Sequence, residues 1–332
     1  MSLNVGVIGA GAMGTAISQC IAPNTNKLLL YARRKEICDD INEGHINCEY
    51  HPSVKLHKNI MAVNDLCDLK DVDVIFLCIP SSVMRQTMVQ LNDIVSDKCI
   101  FVSTAKGIEN KTNKRMSEVI EEETGRSAVV LSGPNIASEM MKNLPSATTI
   151  ASIKKKDLEI VKNVLSTPKL KVNTNHDVIG TEFCGIIKNI LAISQGICKG
   201  MGINDNAKFA VFTKSYNETK CIIEKLGGNR STVDDYCGFG DIITASTLNV
   251  SRNHTLGIWY GQGVYLDEQT GVLFEGKNTT IVLKEICDKV AQNIVFPFFC
   301  PVNFLFFLGF PARGKSFFSF VCALFHYFCK KF

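Results

Sequence analysis

Residues 3–14 read LNVGVIGAGAMG, a short apolar run that ends in three closely spaced glycines. A run rich in valine and isoleucine that stops at glycine is typical of a strand buried on both faces, so we expect a strand over Leu3–Ile8. Gly9 permits a tight turn, Gly11 lets the backbone approach a ligand closely, and Gly14 allows a helix to pack on the strand. The stretch therefore predicts a strand, a turn and a helix in immediate succession.

Alternation of apolar strands and polar helical stretches continues through the first half of the chain. Further strands are predicted at residues 27–31, 72–79, 99–103 and 128–131. This alternation is typical of a parallel sheet that is covered by helices on both faces. After residues 169–173 (KLKVN), helical periodicities replace the strand signals. We therefore predict an α/β fold, with a Rossmann-type doubly wound parallel sheet in residues 1–175 and a mainly α-helical second domain in residues 176–295.

The first helix of the second domain carries a row of small residues. Gly185, Ala192, Gly196 and Gly200 recur at multiples of about four, a spacing that places them on one side of a helix. Because small side chains let another helix approach closely, we interpret this row as a packing surface.

The glycine-rich turn predicts a site for a nicotinamide dinucleotide, because its backbone N–H groups lie at a helix N-terminus and can face a pyrophosphate. The residues expected to contact the cofactor there are Gly9, Gly11, Ala12, Met13 and Gly14. The second strand ends in Arg33 and Arg34, not in the acidic residue that binds the ribose of NAD. Guanidinium groups can pair with a 2′-phosphate, so NADP or NAD is expected as cofactor, with Arg33 as a contact. Alternatively, both arginines are simply solvated.

Composition limits the remaining classes of function. The chain has 332 residues, long enough for two domains, and a net charge of +4, too small for a broad nucleic-acid surface. Its 14 cysteines form no CxxC pair and no cluster with histidine, so we predict no metal site and reduced thiols. The N-terminus lacks the features of an export signal, which favours a cytoplasmic protein. We interpret His45, His51 and His57 as surface residues.

Residues 296–332 form a third segment, an atypical tail that contains 13 of the 20 phenylalanines. No helical or alternating pattern is present there, and residues 290–312 carry no charge. Three prolines and an asparagine argue against a membrane span, so membrane binding is not expected. Three interpretations stay open: an aberrant or frame-shifted terminus, an irregular tail packed on the helical domain, and a membrane anchor.

Three more segments hold polar residues in apolar surroundings: residues 103–109 (STAKGIE), 182–189 (EFCGIIKN) and 238–253 (GFGDIITASTLNVSRN). Together with the glycine-rich turn and LSGPN at residues 131–135, they resemble the NAD(P)-dependent glycerol-3-phosphate dehydrogenases. The resemblance extends from about residue 3 to about residue 293. Each motif alone is common, whereas their combination in this order is specific.

The resemblance implies reversible NAD(P)H-dependent reduction of a small phosphorylated substrate, dihydroxyacetone phosphate, to glycerol 3-phosphate. It implies that Lys188 is the proton donor and acceptor at the C2 oxygen, where an ammonium group can stabilise the negative charge and supply the proton. Lys106 is implied as a second catalytic cation, and Asp241 as the residue that orients Lys188. The substrate-binding residues implied are Lys106, Gly133, Asn135, Lys188, Asp241, Ser251, Arg252 and Asn253. Of these, the last three are expected to bind the phosphate, with Arg252 as a buried arginine. Further cofactor contacts are implied at Lys106, Ala137, Arg252, Leu273 and Glu275.

These residues also have purely structural interpretations. Lys188 could extend from an apolar helix to solvent, and Asp241 could cap a helix that starts at Ile242. Residues 251–253 could simply begin a helix.

Other functions also stay open. The chain could be a different two-domain dehydrogenase that acts on a hydroxy acid or a nucleotide sugar, or a dinucleotide-binding module without turnover. A membrane-attached enzyme is a further alternative. For the enzyme we expect a homodimer and no nucleic-acid partner.

Overall fold

The computed structural model describes residues 3–248, 251–264, 282–283 and 285–286 of the chain. The strands in this part are β1 Leu3–Ile8, β2 Thr25–Tyr31, β3 Ile60–Val63, β4 Val74–Leu77, β5 Ile100–Ser103, β6 Val129–Ser132, β7 Ser146–Ala151 and β8 Leu170–Asn175. The α-helices are α1 Ala12–Ile21, α2 Lys35–Gly44, α3 Ser81–Asn92, α4 Met116–Thr124, α5 Ala137–Met141, α6 Lys155–Leu165, α7 Val178–Gly200, α8 Asp205–Lys225, α9 Asp241–Thr247 and α10 Arg252–Gly261.

All eight strands belong to one sheet, in the order β3-β2-β1-β4-β5-β6-β7-β8. Neighbouring strands are parallel except for β6 and β7, which are antiparallel. The doubly wound α/β fold predicted from the alternation is therefore confirmed, with one antiparallel pair as a departure from a purely parallel sheet. The chain order reverses between β1 and β4, and a sheet of this kind leaves a crevice at that point, beyond the carboxyl ends of its strands.

Both faces of the sheet are covered at its centre, which explains why β1, β2 and β4 are continuous apolar runs. Leu28 and Leu30 of β2 belong to one buried cluster, and Leu29 between them belongs to the other. Successive residues of a strand point to opposite faces, so a strand buried on both sides needs apolar residues at consecutive positions. This double burial fixes the carboxyl ends of β1, β5 and β6, from which the site residues extend.

The chain forms two compact units, and each unit is made of two separate stretches of the sequence. The first comprises Met1–Gly185 together with Gly227–Asp241, and the second contains Ile186–Leu226 and continues from Ile242. The division at residues 175 and 295 stays a prediction. Residues 273 and 275 and the tail at residues 296–332 lie outside the described residues. Within the described part, none of the helices has the length and apolar character needed to cross a membrane.

In the second unit, α7 and α10 pack against each other through glycines. A Cβ atom added to Gly196 would lie 2.9 Å from the Cα of Gly257, and one added to Gly200 would lie 3.0 Å from the Cα of Gly261. The added atoms would also lie 2.1 and 2.2 Å from backbone oxygens of α10. The expectation that small residues at 196 and 200 let another helix approach is therefore confirmed. Because the contacts advance in the same direction on both helices, α7 and α10 are parallel.

Replacing Gly257 with alanine is expected to lower the free energy of unfolding by about 1–3 kcal/mol, because the new methyl group would lie 2.2 Å from the Ile193 carbonyl oxygen. The matched control is Gly44→Ala at the end of α2, where an added Cβ meets no atom within 4 Å. Urea unfolding of the two variants measures the difference. Equal stability of both variants would contradict the close packing of α7 on α10.

Candidate active site

The glycine-rich turn joins β1 to α1 in the geometry that the sequence predicts. Gly9 has φ +108°, a conformation that residues with a Cβ rarely adopt, and a Cβ there would lie 2.5 Å from the carbonyl oxygen of Cys78. At Gly14 a Cβ would lie 1.9 Å from the Gly9 carbonyl oxygen, so the helix begins directly against the turn. At both positions, the protein's own backbone therefore leaves no room for a larger residue, whether or not a ligand is bound.

Gly11 is different, because a Cβ built there meets no atom within 4 Å. The turn is thus open beside this residue, and the N–H groups at the start of α1 have no carbonyl partner within the helix. Ala12 and Met13 are half-buried around the same opening. Open space next to first-turn N–H groups suits the pyrophosphate of a dinucleotide, so the residues present fit NAD or NADP.

At the end of β2, the two arginines have different surroundings. Arg34 forms an ion pair with Glu49, and both side chains are about half exposed. Arg33 is exposed and its backbone carbonyl oxygen accepts from the Asn64 side chain at 2.8 Å, whereas no ion pair or hydrogen bond joins its guanidinium group to another described residue. Among the described residues, a carboxylate thus pairs with Arg34 and none pairs with Arg33, the arginine that the sequence assigns to the cofactor.

Lys106 follows β5 and has two oxygen partners. Its Nζ donates to the Gly133 carbonyl oxygen at 3.2 Å and forms an ion pair with Asp241. The Lys106 side chain is 18% exposed and that of Asp241 only 3%. Removing either partner would leave a poorly solvated charge, which is costly. The structure thus brings together three of the predicted site residues.

The residues around Gly133 are held by β7. A Cβ on Gly133 would lie 2.8 Å from the Cα of Thr148, so the chain passes too close for a side chain. The Asn135 side chain donates to the Ala147 carbonyl oxygen at 3.0 Å and accepts from the Thr148 hydroxyl at 3.1 Å. Ala137 is the first residue of α5 and is half-buried. Asn135 is therefore a rigid part of this loop.

Ser132 is a buried residue of the site that sequence reasoning did not single out. Its hydroxyl has no hydrogen-bond partner among the described residues. A Cβ on Gly185 of α7 would lie 2.9 Å from this hydroxyl and 3.3 Å from the Cγ of Lys106. The absence of a side chain at Gly185 thus leaves room for both groups, a role that packing with another helix does not explain.

The first turns of α7 are attached to α4 through a buried carboxylate. Glu182 accepts from the backbone N–H of Ser117 at 3.0 Å, from its hydroxyl at 2.6 Å and from Arg115 Nη1 at 3.0 Å. The pKa of Glu182 is raised above its ordinary value, because burial outweighs the opposing effects of Arg115 and the hydrogen bonds from Ser117. The carboxylate lies at the N-terminus of α4, where the helix dipole favours negative charge. The sequence gives no signal for this contact.

In the second unit, Lys188 and the SRN triplet lie on the parallel helices α7 and α10. Ser251 is the N-cap of α10, since its hydroxyl accepts from the backbone N–H of His254 at 3.3 Å, so the interpretation of residues 251–253 as a helix start is confirmed. Arg252 is exposed, and the expectation that it is buried is wrong. Lys188 is half-buried.

The packing of the two helices defines how far apart these residues lie along the helix axes. Gly196 of α7 contacts Gly257 of α10, and the two helices are parallel. Five residues before each of these glycines lie Leu191 and Arg252, which are therefore at the same height along the helix axes. Lys188 lies three residues farther toward the start of α7, which is about 4.5 Å along the axis. Lys188, in the middle of α7, therefore lies close to the N-terminus of α10 when position is measured along the helix axes.

Two sequence models of one family match the chain. The model of the NAD-dependent glycerol-3-phosphate dehydrogenase N-terminus matches residues 4–158, and that of the C-terminus matches residues 177–312. The chain belongs to the NAD-dependent glycerol-3-phosphate dehydrogenase family. The match at the C-terminal side extends beyond residue 293, where the resemblance was expected to end.

Relatives of this chain that are named glycerol-3-phosphate dehydrogenase match it over most of its length. It is 36% identical over 294 residues to glycerol-3-phosphate dehydrogenase (NAD(P)+) from Halalkalibacterium halodurans, covering 86% of this chain and 85% of the relative. It is also 36% identical over 293 residues to the enzyme of the same name from Methanothermobacter thermautotrophicus, covering 88% and 90%.

Solved structures give the same result. Glycerol-3-phosphate dehydrogenase from Coxiella burnetii has a TM-score of 0.85 and 27% identity, covering 93% of this chain and 96% of that one. The enzyme from Saccharomyces cerevisiae has a TM-score of 0.84 and 26% identity, covering 94% and 97%. The predicted family is thus confirmed, and the chain is an oxidoreductase that uses NAD or NADP.

Proposed function

We propose that this dehydrogenase reduces dihydroxyacetone phosphate to glycerol 3-phosphate reversibly, with Lys188 as the general acid and base. When bound, the reduced nicotinamide supplies the hydride. The ammonium group of Lys188 stabilises the negative charge that develops on the C2 oxygen and then donates its proton to that oxygen. In the reverse direction the neutral amine accepts the proton.

The observation that carries this proposal is the parallel packing of α7 and α10, because it leaves Lys188 and Arg252 only about 4.5 Å apart along the helix axes. An α-helix N-terminus attracts a phosphate, and Arg252 and Asn253 occupy the first two positions of α10. A guanidinium group can bind a phosphate through two hydrogen bonds. We infer that Ser251, Arg252 and Asn253 hold the substrate phosphate while Lys188 acts at the carbonyl.

The first unit supplies the other polar groups in this proposal. Lys106 and Asp241 form an ion pair next to Gly133, and the pair offers a cation and a carboxylate to the hydroxyl end of the substrate. Asn135 contributes through its rigid loop. Orientation of Lys188 by Asp241 stays a prediction. Ala137, Arg252, Leu273 and Glu275 stay proposed cofactor contacts, with Leu273 and Glu275 outside the described residues.

A spectrophotometric assay tests the proposed reaction. Oxidation of NADPH and NADH is followed with dihydroxyacetone phosphate and, in parallel, with unphosphorylated dihydroxyacetone. We expect rapid oxidation only with the phosphorylated ketone, because the SRN triplet has no partner in the other compound. Cofactor binding without oxidation of either nucleotide would favour a non-catalytic dinucleotide-binding module instead. Equal rates with both ketones would contradict the role of residues 251–253.

Replacing Arg33 with glutamine is expected to raise the KM for NADPH about tenfold or more and to leave the KM for NADH within about twofold. The reason is that only NADPH carries the 2′-phosphate, which we propose Arg33 binds. Arg34→Gln is the matched control and should have a smaller effect, because Glu49 already pairs with Arg34. Steady-state kinetics with both nucleotides measures the difference. An equal effect on NADH and NADPH would contradict the proposal.

We also propose a homodimer in the cytoplasm. No disulfide joins the cysteines within the described part of the chain, and reduced thiols persist in reducing compartments. The proposal of a dimer rests on the helical second domain, since such domains commonly pair. Light scattering at several protein concentrations measures the oligomeric state, and a constant monomer mass would contradict the dimer.

A further inference from the structure

The segment that follows α2 packs on the glycine-rich turn through two buried polar side chains. Asn47 is fully buried, and its Nδ2 donates to the Ala10 carbonyl oxygen at 3.0 Å and to the Thr15 hydroxyl at 2.9 Å. His51 is 8% exposed, and its Nε2 lies 2.9 Å from the Ala12 carbonyl oxygen. The interpretation of His51 as a surface residue is therefore wrong.

The segment itself has a fixed shape. The backbone N–H of His51 donates to the Asn47 carbonyl oxygen at 2.8 Å, so the two side chains extend from one tight turn. Gln19 of α1 accepts from the backbone N–H of His57 at 2.8 Å and donates to the Lys55 carbonyl oxygen at 3.2 Å. The turn is thus tied to α1 at separate points, and among the described side chains those of Asn47 and His51 are the ones that bond the carbonyl groups of Ala10 and Ala12.

These two carbonyl groups belong to the peptide units that matter for anion binding. A trans peptide is planar, and its C=O and N–H groups point in opposite directions. Fixing the Ala10 carbonyl therefore also fixes the N–H of Gly11, and fixing the Ala12 carbonyl fixes the N–H of Met13. The N–H of Gly11 belongs to the residue beside the open space of the turn. A hydrogen bond to a carbonyl oxygen also polarises the N–H of the same peptide.

We propose that Asn47 and His51 are positioning residues for the dinucleotide, which hold the Gly11 and Met13 N–H groups toward its pyrophosphate. The inference rests on the cofactor site proposed at the glycine-rich turn. His51 acts as a donor here, because the Ala12 carbonyl oxygen can only accept, so Nε2 carries a proton. Neither residue touches the substrate, so their effect is on cofactor affinity and not on the proton transfer.

The test compares His51→Met with His51→Gln. The two side chains have similar length and volume, but only glutamine carries an N–H donor at a position close to that of Nε2. We expect His51→Met to raise the Kd of NADPH and of ADP-ribose by about three- to tenfold, the loss of one hydrogen bond. His51→Gln should stay within about twofold of the unchanged protein. Calorimetric titration of the full-length chain gives both constants.

Kinetic readouts separate positioning from general damage. In His51→Met we expect a higher KM for NADPH, with kcat and the KM for dihydroxyacetone phosphate unchanged and the melting temperature close to that of the unchanged protein. Gln19→Ala is the control, because it loosens the same segment without removing a bond to Ala10 or Ala12. Its Kd for NADPH should stay within about twofold.

Asn47→Asp provides a second variant, because it keeps the shape of the side chain and replaces the donor with an acceptor. It should weaken ADP-ribose binding at least as much as His51→Met. Equal affinity in His51→Met, His51→Gln and the unchanged protein would overturn this inference. Failure of the unchanged protein to bind NADPH or ADP-ribose would instead overturn the proposed cofactor site.

Discussion

Replacing Lys188 with methionine is expected to lower kcat for dihydroxyacetone phosphate reduction by about 10²- to 10⁴-fold, the usual contribution of a positioned proton donor. Methionine retains the unbranched, apolar part of the side chain in its half-buried position on α7 and removes the ammonium group. The C2 oxygen then has neither the positive charge nor the proton that the proposal assigns to Lys188. Stopped-flow and steady-state measurements with NADPH give kcat directly.

Lys188→Arg separates proton transfer from charge stabilisation. Arginine keeps the positive charge, but it is not deprotonated in proteins, so it is a poor proton donor. We expect kcat to fall for this variant too, whereas the Kd of NADPH should change little in both, because Lys188 is not assigned to the cofactor. Unchanged kcat in Lys188→Met would exclude the proposed mechanism. Full activity of Lys188→Arg would reduce the role of Lys188 to its charge.

The sequence predicts the sheet well where burial alone determines the strands. β1, β2 and β4 are continuous apolar runs because both of their faces are covered. The sequence does not indicate β3 or β7, and the reason differs between the two strands. β3 is a four-residue edge strand in which Met61 is 44% exposed. β7 reads SATTIA, whose buried threonines lack an apolar pattern.

The candidate site is predictable only where a motif carries it. The glycine spacing predicts the turn after β1, because each glycine has a local steric reason. The ion pair between Lys106 and Asp241 joins residues 135 positions apart, which no local pattern indicates. Asn47 and His51 lie in a polar stretch that is typical of a surface loop, and their burial depends on the turn against which they pack. Such contacts become visible only in the folded chain.

Replacing Arg252 with alanine is expected to lower kcat/KM for dihydroxyacetone phosphate by about 10²- to 10³-fold. The reason is that the substrate phosphate would lose a cation that binds it through two hydrogen bonds. Arg252 is exposed at the start of α10, so its removal leaves no cavity and should change the stability little. Arg252→Lys retains the charge but lacks the paired N–H donors of the planar guanidinium group, so it should recover only part of the lost activity. The matched control is Thr255→Ala, one turn farther along α10, which removes a weak bond to the Ser251 carbonyl oxygen at 3.3 Å.

Inhibition by inorganic phosphate distinguishes binding of the phosphate group from a general effect on turnover. If Arg252 binds the substrate phosphate, the inhibition constant for inorganic phosphate should rise in Arg252→Ala, together with the KM for dihydroxyacetone phosphate. The slow reaction with unphosphorylated dihydroxyacetone should fall much less, because that compound offers nothing for the guanidinium group to bind and only the proposed cofactor contact of Arg252 affects it. An equal loss of activity on both ketones would mean that Arg252 acts through the cofactor or the fold alone, and would assign the phosphate to other residues.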